Sequence, residues 1–278
     1  MSRSSMRKKS PIGKIIASIL TFVVIVFGGF FVYNSFLAPT SEKQNDVKVT
    51  QKTEKSTYTV SADEKKYLKE RFDKYKTINK ESIGYINIPG TQLDEPVVQT
   101  TDNATYLDKR FDGVNEPLMG TVFMDADNKK DFSDRLTWLF GHARGSKVPD
   151  HRMFKVVNYY SSQEYFDKHQ YVVIETPERK YYYEAIAVVI VPETTAFYRT
   201  SFDDDKDFEK QLTAIYDEAK IKKANVKVSP KDKYLVLSTC LEEDDTIRTN
   251  LYLRQIPDSE MTEFVKQHKD QLAYTPTR

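Results

Sequence analysis

Nucleophilic thiol chemistry requires a thiolate, a group that moves a proton to and from an amine, and a fixed positive charge where an oxyanion develops. The chain offers a candidate for each. Cys240 is its only cysteine, Arg248 follows eight residues later, and four histidines are present. Among these, His142 stands out because it follows the apolar stretch 136–140 through Gly141, a strand-end loop of the kind on which functional groups are displayed. His151, His169 and His268 lie in charged, helix-like or tail surroundings and are expected on the surface. A lone cysteine at a strand end is equally well a buried small hydrophobe, and Gly-His a plain turn. The acidic run 242–245 reads as a solvated loop, with cation binding as its other use.

These groups must be carried by strands. Residues 234–240 run from large apolar and β-branched side chains into small polar ones, the pattern of a buried strand ending at Cys240. Beyond the acidic loop, Leu251 and Leu253 alternate with Arg248, Asn250, Tyr252 and Arg254, which predicts a second strand with one buried and one polar face. The hairpin so formed places the thiol near a guanidinium. Further short strands are predicted over 84–88, 95–99, 121–124 and 136–140, with a hairpin of 171–175 and 180–191 about Pro177. Turns every ten or so residues argue for a barrel or sandwich. Helices are predicted over 62–75, behind a Ser61/Glu64 capping box, and over 205–222, where Phe208, Leu212, Ile215 and Ala219 form one stripe behind the acidic residues 203–205. A short helix over 258–267 closes the chain.

At 278 residues, 39% of them hydrophobic, there is material for one packed domain with appendages. Residues 1–14 carry +5 while the whole chain carries +1, so the remainder is at −4 and presents no general basic field for nucleic acid. Residues 15–33 lack any charge, and nineteen helical residues span roughly 28 Å, close to a bilayer's hydrocarbon thickness. The expected organisation is a cytoplasmic basic tail over 1–14, a single-pass signal-anchor over 15–36, a flexible stalk over 37–60 and a catalytic domain over 61–278, held outside the membrane by the positive-inside rule. A cleaved signal peptide is the alternative for the apolar run. One cysteine permits neither an internal disulfide nor a thiolate zinc cluster, and a free thiol facing an oxidising exterior is a liability unless it is used.

The wording and order of these segments resemble a known family. Leu237-Ser238-Thr239-Cys240, with Arg248 beyond it and Gly141-His142 before it, is similar to the core motif of the sortases, with Val236 in place of the usual threonine. Ile86-Asn87-Ile88-Pro89-Gly90-Thr91, Pro96-Val97-Val98-Gln99, Asp102-Asn103 with Tyr106-Leu107, and the stretch from Gly120 to Asp125 resemble class B sortases in particular. The resemblance covers roughly 61–256. It implies a mainly β fold, a closed eight-stranded sortase-type β-barrel with amino-terminal helices and a long helix inserted before the cysteine strand. It implies a cysteine transpeptidase that needs no cofactor or metal. Cys240 would attack the carbonyl after the threonine of a C-terminal sorting signal on a secreted surface protein or pilin, giving a thioester. An amine of a lipid-linked cell-wall precursor, or a pilin lysine, would resolve it. His142 would carry the proton and Arg248 would hold the substrate backbone and oxyanion, with Asn103, Leu107, Thr194, Tyr198 and Ser238 binding the signal. Arg199 stands where the family pattern expects an apolar residue. Two other classes stay open, a Cys/His hydrolase of cell-wall peptides and a non-catalytic anchored binding protein, separated by thiol labelling and by transfer to an added amine.

Overall fold

A computed structural model describes residues 58–144, 152–195, 197–241 and 244–277. The expected basic tail, signal-anchor, His151, Glu242, Glu243 and all but the last three residues of the expected stalk lie outside the described residues. Among those described, no helix is long and apolar enough to cross a membrane.

The chain enters through helix α1 (Ala62–Ile78), whose amino end is capped by Ser61 Oγ accepting from the Glu64 N–H at 3.1 Å. Only half of the predicted capping box forms. The Glu64 carboxylate instead accepts from the Tyr58 hydroxyl at 2.6 Å and the Lys180 N–H at 3.0 Å, tying the helix start to the barrel wall. Strands β1 (Ser82–Asn87) and β2 (Asp94–Val98) follow, then α2 (Thr105–Asp108), β3 (Val122–Met124) and β4 (Leu136–Phe140). Two short helices, α3 (Lys155–Tyr159) and α4 (Gln163–Lys168), precede the hairpin of β5 (Tyr171–Glu175) and β6 (Lys180–Pro192). Helix α5 (Asp205–Glu218), strand β7 (Ile221–Lys222), the long pair β8 (Tyr234–Leu241) and β9 (Asp244–Gln255), and α6 (Asp258–Gln267) complete the order.

Eight strands close into a ring in the order β1-β2-β3-β4-β8-β9-β6-β5, with β5 pairing back onto β1 and β7 adding to the far end of β6. Two of the ring's pairings are parallel, β2 with β3 and β4 with β8. Closure leaves the ring without an open edge. Its interior is filled by side chains such as Ile86, Val97, Leu139, Val188, Leu237 and Leu251.

A second apolar layer lies outside the ring, where Phe208, Leu212 and Ile215 of α5 pack on Trp138, Val236 and Tyr252. This layer corrects the reading of 248–254 as a strand with one polar face: Tyr252, on the side that alternation assigned to solvent, is buried in the layer beneath α5, and Asn250 on the same side is only 4% exposed. Helix α5 is also shorter than the predicted 205–222. It ends at Glu218, Ile221 turns into the interior layer and pairs with Val188, and Asp204 caps the other end on the Asp207 N–H at 2.8 Å. Helices of four to six residues, such as α2, α3 and α4, complete too few turns to show a period and were not foreseen.

His169 and His268 correct a further expectation. Both are half-buried rather than on the surface, His169 against the Tyr165 ring at 4.4 Å between centroids and His268 against Tyr171 at 4.7 Å.

Candidate active site

Parallel pairing is what brings the histidine to the cysteine. Because β4 and β8 run in the same direction with Phe140 opposite Ser238, Gly141-His142 leaves the barrel at the end where Thr239-Cys240 arrives. The junction is pinned twice, by the Gly141 N–H donating to the Ser238 carbonyl at 3.3 Å and the Thr239 hydroxyl donating to the Gly141 carbonyl at 2.7 Å. Antiparallel pairing of β8 with β9 sets Cys240 directly opposite Arg248, and the register shifts immediately beyond Cys240. Neither strand has a side chain free to shift by one position, since a slip would reverse two buried faces.

His142 is oriented by its Nε2, 2.6 Å from the Leu107 carbonyl oxygen. A carbonyl only accepts, so Nε2 is the donor in this contact. The approach depends on Gly120, whose backbone has φ +48°: a Cβ there would lie 2.5 Å from the Leu107 carbonyl oxygen and 2.6 Å from that of Tyr106. No side chain fits.

The Arg248 guanidinium is held by Nη1 donating to the Asp245 carbonyl at 2.5 Å and by Nη2 pairing with the Glu193 carboxylate at 2.5 Å. Glu193 opens the loop that follows β6. Arg254, on the same strand, points elsewhere, pairing with Asp232 at 2.8 Å and Glu260 at 3.5 Å.

These ends surround a cleft of about 590 Å³ with an aromatic floor of Phe123, Trp138 and Phe140. All eight residues singled out in the sequence line it: Cys240, His142 and Arg248, together with Asn103, Leu107, Thr194, Tyr198 and Ser238. Tyr198 packs edge-on against Trp138 at 5.2 Å between centroids and donates its hydroxyl to the fully buried Asp125 carboxylate. Burial and that carboxylate hold the phenol well above its ordinary pKa, so it remains a donor. Asn103 Nδ2 reaches the same carboxylate at 2.9 Å, while its Oδ1 accepts from the Ala126 N–H at 2.9 Å.

The unexpected Arg199 has a local explanation. Its backbone carbonyl accepts from the Trp138 indole at 2.9 Å, and its side chain turns away from the cleft to grip Asp207 of α5 through both terminal nitrogens, at 3.0 and 2.5 Å. Asp125 and Glu193 were missed in the sequence because single carboxylates at strand ends carry no periodic signal. Asp125 is the last residue of the stretch that begins at Gly120. Of the acidic run, Asp244 is used internally, accepting from the Thr246 N–H and hydroxyl at 2.9 and 2.6 Å.

With this geometry in place, similarity to known proteins can be read. No family model matches the chain. It is 28% identical over 228 residues to sortase B of Staphylococcus aureus, covering 81% of this chain and 88% of that protein. It is 32% identical over 170 residues to sortase B of Listeria monocytogenes, covering 60% of this chain and 66% of that protein. Among solved structures, the Staphylococcus aureus sortase B–substrate complex matches with a TM-score of 0.62 at 28% identity, over 68% of this chain and 86% of that one.

Proposed function

Because the chain belongs to the class B sortases, which are cysteine transpeptidases, we propose that it cleaves a C-terminal sorting signal after threonine and transfers the protein to an amine. The observation that carries this reading is the convergence of Cys240, His142 and Arg248 on one cleft with the five expected signal-binding residues. Cys240, as thiolate beside a protonated His142, attacks the threonine carbonyl through Sγ, and the developing oxyanion is met by Arg248, a planar fork of donors. Collapse expels the leaving amine, which takes a proton from His142 and leaves a thioester on Cys240. The incoming amine attacks the thioester and gives its proton to His142, and thiolate departs, so the reactive thiolate–imidazolium pair is regained. The acceptor is an amine of a lipid-linked cell-wall precursor or a pilin lysine. The basic 1–14 segment and uncharged 15–33 run support single-pass anchoring with the cleft outside the membrane.

The test is mass analysis of the protein incubated with a panel of threonine-containing signal peptides, with and without an amine. The expected result is a covalent adduct on Cys240 and a product joined to the amine. Hydrolysis alone despite excess amine would favour the cell-wall peptide hydrolase, and no adduct with any peptide would favour a binding protein.

A further inference from the structure

His142, Cys240 and Arg248 leave the ends of three different strands, and one short helix with the residue before it reaches the backbone of His142 and Cys240 and the side chain next to Arg248. Just before α3, the Phe154 N–H donates to the His142 carbonyl at 3.1 Å. Four residues on, the side-chain amide of Asn158 spans β8 and β9: Nδ2 donates to the Cys240 carbonyl at 3.0 Å, and Oδ1 accepts from the Thr249 hydroxyl at 2.5 Å. Since the Cys240 carbonyl only accepts, the amide nitrogen must face it, and one orientation is imposed. Thr249 adjoins Arg248, the ladder partner of Cys240, and the ladder loses its register one residue beyond. Asn158 is 5% exposed and does not line the catalytic cleft.

We propose that Asn158 is a positioning residue for acyl transfer, acting through the Cys240 carbonyl and Thr249 to hold the thiol and the guanidinium in mutual register at the irregular end of the hairpin. The assignment of its purpose rests on the transpeptidase reading. Its physical basis is that strand ends next to a bulge are where a ladder frays, and a displacement of about 1 Å at a reacting group costs about 100-fold in rate. A fully satisfied buried amide holds position better than apolar packing, because its hydrogen bonds are directional and expensive to leave unmade.

The experiment compares Asn158→Ala with Val157→Ala, a neighbour on α3 that is fully buried in the barrel core but is not part of this bridge, using the full chain purified in detergent. Asn158→Ala should lower kcat for acylation about tenfold or more with KM within about twofold, whereas Val157→Ala should lose less than about threefold at equal or greater loss of Tm. Thr249→Val should reproduce part of the loss, and the double variant should be no worse than Asn158→Ala, as expected of groups acting as one unit. A second readout needs no peptide: alkylation of the single thiol by iodoacetamide at fixed pH should slow about threefold or more in Asn158→Ala and stay near normal in Val157→Ala. Equal losses in the two variants by both readouts would reduce Asn158 to helix packing and overturn the proposal. If no peptide acylates the unmodified protein, the transpeptidase reading falls while the alkylation arm still decides whether Asn158 positions the thiol.

Discussion

Cys240 and Arg248 are cross-strand partners, so their separation is set by the β-ladder rather than by side-chain flexibility, and substitution at either should act on rate more than on fold. Cys240→Ala removes one sulfur from a partly exposed position; it should fold normally and form no covalent adduct with any signal peptide. Arg248→Lys keeps the charge but loses the planar fork, and should slow single-turnover acylation by about 100-fold to 1000-fold. Arg254→Lys is the control. Its guanidinium serves Asp232 and Glu260 away from the cleft, so acylation should stay near normal and stability should fall by less than about 1 kcal/mol. A large loss at 254 with normal acylation at 248 would reverse the proposed roles.

The loop between β6 and α5 forms one wall of the cleft, and it is fastened at points the sequence pattern does not announce. Tyr198 is latched to Asp125, and Asp125 is fully buried, so removing the hydroxyl takes one donor from this carboxylate and leaves it the Asn103 amide and the Asp127 N–H. Tyr198→Phe should therefore cost about 1–3 kcal/mol of stability, and it should raise KM for the signal peptide more than it lowers kcat, because the wall moves while the thiol does not. Steady-state kinetics beside a denaturant titration would show this; a kcat loss with unchanged KM would move Tyr198 into the chemistry.

Across the whole domain, α1 is joined to the barrel by Arg71, which stacks 3.6 Å above the Tyr85 ring and pairs with the buried Glu175 carboxylate at 3.1 Å. Lys180 remains as a second partner of Glu175 at 2.8 Å, so Arg71→Ala should destabilise by about 3 kcal/mol, the low end for breaking a buried pair, measured by chemical unfolding. At the other end of the chain, Arg179 grips Asp258 of α6 through two bonds of 3.0 and 2.6 Å. This guanidinium holds the Asp258 carboxyl below its usual range. A carboxyl depressed in the folded state contributes stability above its unfolded pKa, about 3.9, and loses it as pH falls through the folded value. Asp258→Asn should accordingly flatten the acid limb of the stability curve below about pH 4 and lower the plateau above it. An unchanged acid limb would show that the pair is too well solvated to matter.

What the sequence by itself determined lies within short range. The cysteine–arginine hairpin follows from an unbroken apolar run before a brief acidic loop and alternation after it, the two patterns of buried strands. The stripes of α1 and α5 and the extent of α6 follow from the same logic at a period of 3.6. The motif order was enough to single out eight of the residues that line the cleft, but it did not say why they meet. That was decided by tertiary structure: His142 reaches Cys240 because β4 lies parallel to β8 across 98 residues of chain, and pairing over that distance leaves no periodic trace in either segment. The burial of Tyr252 depended on α5 packing over the outside of the ring, the outward turn of Arg199 on Asp207 being within reach, and the place of Asn158 on a helix of five residues meeting two strand ends at once. Periodicity records whether a residue faces core or water. Which partner it faces is fixed only when distant segments pack.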